Sequence, residues 1–63
     1  MTNPPPYRLT FADAIEVWLM HWDKNHQHNI AAHFGVNSGR INDVVKERIH
    51  IGSREAALMK KSA

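Results

Sequence analysis

The sequence contains no cysteine. Disulfide staples, thiolate nucleophiles and cysteine-ligated zinc or iron–sulfur sites are thereby excluded, and the absence fits a reducing compartment. No apolar run approaches the roughly 20 residues that a membrane-spanning helix needs. The opening Met1-Thr2-Asn3-Pro4 has neither the basic nor the apolar region of a secretory signal, so a soluble, cytoplasmic chain with no membrane partner is expected. Chain length is also scarce: 63 residues leave no room for a cleft between two layers. No nucleophile–base–orienter set and no phosphate-binding glycine loop is present, so no enzymatic activity and no cofactor are expected. One small core remains, and cores of this size are marginal alone. With disulfides excluded, a second subunit is the expected source of further stability.

Glycine is nearly absent too, and its three positions, 35, 39 and 52, act as punctuation. Pro4-Pro5-Pro6 favours polyproline II, so residues 1–9 are expected to form a flexible arm ahead of a single domain at 10–63. Thr10 with Asp13 has the form of a capping box, which starts a helix at about Phe11. Along it Phe11, Ala14, Ile15, Trp18, Leu19 and Trp22 recur at spacings of three and four and predict one buried stripe. Val17 and Met20 lie off that stripe and predict a second packing surface. Asp23-Lys24-Asn25-His26 is an unperiodic polar connection, with Asn25 or His26 opening the next helix. That second helix runs to Phe34 and ends at Gly35. Asn37 or Ser38 then caps a third helix that carries Ile41, Val44 and Val45 inward. Arg48-Ile49-His50-Ile51 alternates and predicts a short extended link. Gly52-Ser53 breaks and caps again before a short C-terminal helix ending in Lys60 and Lys61, which complement the helix dipole. The expected fold class is all-α, a small bundle of three to four helices.

The most informative segment is residues 27–46. Apolar Ile30, Phe34, Val36 and Val44 stand around a small Ala31, a Gly35 four residues later and an Ile41 six after that. The segment resembles the helix-turn-helix unit of bacterial and phage DNA-binding regulators, over about a third of the chain. The resemblance implies that Ala31 is small because the next helix crosses close above it, that Gly35 makes the turn, and that Val36 and Ile41 pin the two helices together. It further implies that the third helix is the recognition helix, with Asn37, Ser38, Gly39, Arg40, Asn42, Asp43 and Lys46 on its outer face toward duplex DNA. Asparagine pairs with adenine and arginine with guanine, whereas Asp43 repels phosphate unless it pairs with cytosine, Arg40 or Lys46. Gln27, Arg8, Arg48 and Arg54 are candidates for backbone contacts.

Charge gives this reading modest support. The formal net charge is only +2, yet from Gly35 onward six Lys and Arg face three acids. The expected function is sequence-specific DNA binding by a small homodimeric transcriptional regulator. The expected dimer surface is helix 1, the C-terminal helix or both, on the evidence of Val17, Met20, Leu58 and Met59. The alternatives are a protein-interaction module on the same scaffold, as in an antiactivator or accessory subunit, and an architectural or recombination accessory factor. Among the five histidines, His26, His28 and His33 with nearby His21 are read as surface residues rather than a metal site, because their rings diverge. No small-molecule ligand is expected.

Overall fold

The computed structural model describes residues 8–62. The arm expected at 1–9 lies outside the described residues except for its last two. Four helices follow one another, α1 (Phe11–Trp22), α2 (Gln27–Phe34), α3 (Ser38–Val45) and α4 (Ser53–Ser62), and the described residues contain no strand. The protein is all-α. None of these helices is long and apolar enough to cross a membrane.

α1 begins as its sequence dictates. The Asp13 amide donates to Thr10 Oγ1 at 3.1 Å and the Thr10 amide to Asp13 Oδ2 at 3.0 Å, so each residue satisfies an orphan group of the other. α1 is the centre of the fold, packed against all three other helices. That placement corrects its predicted buried face. Ala14, Val17 and Trp18 are buried, Ile15, Leu19 and Trp22 are half-buried, and Phe11 is 44% exposed. Partners on several sides widen the covered face until it reaches Val17, which is fully buried, so that residue packs inside the fold and is not available to a second subunit. Phe11 instead sets its ring edge-on to His50 at the rim, with centroids 6.3 Å apart.

The core is closed by Leu9, Ile30, Ala31, Ile41, Val44 and Ala57. Leu9 moves the boundary of the folded unit into the expected arm. It is buried, and its carbonyl accepts a hydrogen bond from His50 Nε2 at 2.8 Å. α4 is joined to α1 by polar as well as apolar groups. Trp18 Nε1–H donates to Ser53 Oγ at 3.0 Å, and Ser53 is itself only 1% exposed. A buried indole N–H needs such an acceptor. At the rim Lys60 pairs with Glu16 at 3.4 Å and the Lys61 ammonium lies 5.5 Å from the Trp22 ring centroid.

Three helices end in the same way. Beyond α2, Gly35 adopts φ 69°, its amide donates to the Ala32 carbonyl and the Val36 amide to that of Ala31. This paired 5→2 and 6→1 pattern is the Schellman motif. It recurs at Lys24 (φ 67°), with Lys24 donating to His21 and Asn25 to Met20, and at Glu47 (φ 57°), with Glu47 donating to Val44 and Arg48 to Asp43. The segment Lys46–Gly52 is accordingly a run of turns and bends and not the extended link its alternation predicts. Left-handed Glu47 and His50 (φ 50°) turn the chain back toward α1.

Candidate nucleic-acid interface

Residues 27–46 form two separate helices joined by the turn Gly35-Val36-Asn37. α2 and α3 pack together through Ile30, Ala31, Ile41 and Val44, none more than 5% exposed, with Phe34 and Val36 half-buried against them. The expected inner set of this segment is thus inside. Gly35 is exposed, and a Cβ there would meet no atom within 4 Å, so its requirement is purely conformational.

The outer set is brought together on α3. Asn37, Ser38, Gly39, Arg40 and Lys46 are exposed, and Asn42 and Asp43 are half-buried. Asn37 is the N-cap, its Oδ1 accepting from the Gly39 amide at 2.8 Å. The cap leaves only the Nδ2 end of Asn37 to offer outward, so it has one polar arm rather than the two that bidentate adenine pairing requires. Gly39 has a local explanation in the same bond. A Cβ on it would lie 3.2 Å from Asn37 Oδ1, closer than ordinary contact, so glycine leaves room for the cap oxygen.

The cations around α3 are differently engaged. Arg40 Nη1 lies 3.6 Å from Asp43 Oδ2, and Arg48 Nη1 lies 3.4 Å from Asp43 Oδ1. Lys46, equally spaced from Asp43 in sequence, makes no ion pair with it. The difference comes from the turn at Glu47, which carries Arg48 back beside the end of α3 and hydrogen-bonds its amide to the Asp43 carbonyl at 2.8 Å. Arg8 and Arg40 line one groove of about 750 Å³, floored by Leu9, Val36 and Ile49. Gln27 and Arg54 stand at the starts of α2 and α4, half-buried and exposed respectively, and neither lines this groove.

The histidines are structural or solvent-facing. His21 sits edge-on to Trp18, His33 edge-on to Phe34, and His50 holds Leu9. His26 is the N-cap of α2 without a side-chain capping bond, and His28 is exposed. Among the described residues no group of three His, Asp or Glu side chains is placed to hold a metal ion. Sequence reasoning missed the Ser53 acceptor, the His50–Leu9 bond and the Arg48–Asp43 pair. The first two join residues 35 and 41 positions apart, and the third depends on left-handed Glu47, so no local spacing rule announces them.

No family model, curated protein or solved structure matches the chain.

Proposed function

We propose that the chain binds duplex DNA sequence-specifically through the leading edge of α3, as a small homodimeric transcriptional regulator of the helix-turn-helix kind, with no catalytic role. One observation carries this reading. The apolar residues of α2 and α3 are buried against each other, while the first turn of α3 stays open with Arg8 and Arg40 around it and Arg48 beside the helix end. A helix fits the major groove, and the polar side chains near its start then reach base edges. Ser38, Arg40 and Asn42 are the proposed readers. Lys46, Arg8 and Arg48 are the proposed phosphate contacts, with Gln27 and Arg54 as outlying ones.

α4 supports the dimer. With Val17 buried, the exposed apolar side chains that remain on α4 are Leu58 (40%) and Met59 (75%). Two copies joined there would present their α3 helices to half-sites about one turn, ~34 Å, apart. Selection of bound duplexes from a random library, followed by titration across salt concentrations, tests the reading. The expected result is a two-fold symmetric consensus whose affinity falls steeply with salt. A steep salt dependence without any consensus would make the protein an architectural factor instead. The rival reading, a protein-interaction module, is favoured by Ile51, 76% exposed, and by the carboxylate of Asp43 on the reading face. Failure to bind any duplex at about 50 mM salt would select it, since even non-specific binding survives there.

A further inference from the structure

We propose that Asp43 is the specificity-determining residue of the α3 face, restraining Arg40 and Arg48 so that phosphates alone bind weakly and only a correctly shaped partner binds well. The proposal rests on the DNA-binding reading for its partner, and on geometry alone for the restraint.

The carboxylate uses its two oxygens separately, Oδ2 toward Arg40 and Oδ1 toward Arg48. Arg48 is held twice, by this contact and by its amide on the Asp43 carbonyl. The arginine side chains are 62% and 64% exposed, whereas Asp43 is 23% exposed, so the acid sits beneath two cations that face outward. Ion pairs this exposed contribute little to stability, and fold maintenance does not account for the arrangement. Its effect is on what the cations can bind. Non-specific affinity for a polyanion follows the number of phosphates neutralised, and a carboxylate between two arginines lowers that number. A guanidinium has five N–H donors, so each arginine keeps a free edge for a base or a well-placed phosphate while its restrained edge fixes the direction of approach. A partner must therefore satisfy the free edges as they stand.

Asp43→Asn removes the charge at constant shape, and Asp43→Ser provides a second neutral form in case one of the two disturbs the helix. Glu47→Gln is the control, because it removes one charge four residues away from a side chain that bonds neither arginine. The first measurement needs no DNA: elution from immobilised heparin, an unsequenced polyanion. Both Asp43 variants are expected to elute at higher salt than Glu47→Gln, with the thermal midpoint unchanged. Elution together with Glu47→Gln would show a net-charge effect only and overturn the restraint. The second measurement is anisotropy with a random 20-base-pair duplex and with the duplex selected by the unaltered protein. Asp43→Asn is expected to bind the random duplex about tenfold tighter, with a salt slope steeper by about one, and to lose about tenfold in discrimination. Unchanged discrimination would overturn the specificity role. Late elution of the Asp43 variants combined with no duplex binding by any form would keep the restraint and overturn the DNA reading instead.

Discussion

The α1–α4 pair and the α2–α3 pair spend their polar side chains in opposite ways. Between α1 and α4, an indole N–H, a serine hydroxyl, a Lys–Glu pair and an ammonium over a tryptophan ring all bridge the two helices. Between α2 and α3, the described contacts are apolar, and the polar groups of α3 bond only along α3 itself, to its cap or to the turn that follows it. The first pair commits its polar chemistry to architecture. The second is clamped by hydrocarbon and keeps its polar chemistry on one exposed edge, where its bonds stay within that edge and tie it to no other helix. A surface kept free in this manner is what a recognition helix requires, since groups already bonded across a fold are costly to redirect.

Substitutions can break this contrast, beginning with the largest expected effect. Ile41→Ala, at a fully buried position in the hydrocarbon clamp, should cost about 2–5 kcal/mol, a large fraction of the stability of a domain this small. Urea denaturation followed by tryptophan fluorescence measures it, and a loss below about 1 kcal/mol would show that the clamp does not hold α3. Ala31→Leu should be destabilising by overpacking at the same contact, by roughly 1–3 kcal/mol. On the other side of the contrast, Ser53→Ala strands the Trp18 N–H and should cost about 1–3 kcal/mol by the same assay. Trp18→Phe in that background should add less than it does alone, because the N–H is then gone; simple additivity would argue against a polar bridge.

Smaller effects sharpen the account of the helix ends. Gly35→Ala should lose about 1–2 kcal/mol through its left-handed backbone alone. Lys24→Gly and Glu47→Gly should do the reverse and gain about 0.5–1 kcal/mol each, measured as shifted denaturation midpoints. Destabilisation by both glycines would mean that their side chains contribute more than their backbone strain removes. Arg40→Ala is the smallest for stability, within about 0.5 kcal/mol. It should nevertheless weaken binding to a selected duplex about tenfold or more, by anisotropy, as loss of a bidentate base contact does. Equal binding by this variant would remove Arg40 from the reading edge.

Much of this fold was legible from local rules. The Thr10–Asp13 box, the Gly35 corner, the Asn37 cap and the inward Ile30, Ala31, Ile41 and Val44 each depend on residues within a few positions of one another. What escaped was of longer range or broke a local preference. Val17 is buried because α1 is enclosed from several directions, and a single-face stripe cannot express that. Alternation at 48–51 predicts extension, but the left-handed Glu47 and His50 prevent it, and glutamate does not advertise that conformation. Of the partners of Asp43, Arg40 was readable by spacing and Arg48 was not: Lys46 has the same separation as Arg40, yet the turn delivers Arg48.

Backbone amide shifts from nuclear magnetic resonance, recorded as a selected duplex is titrated into the labelled protein, test the central claim most directly. The account predicts saturable changes concentrated at Asn37 to Asp43, with Arg8 and Arg48 following and the buried Ile30 and Val44 little affected. Changes confined to α1 and α4, or none at low salt, would contradict it.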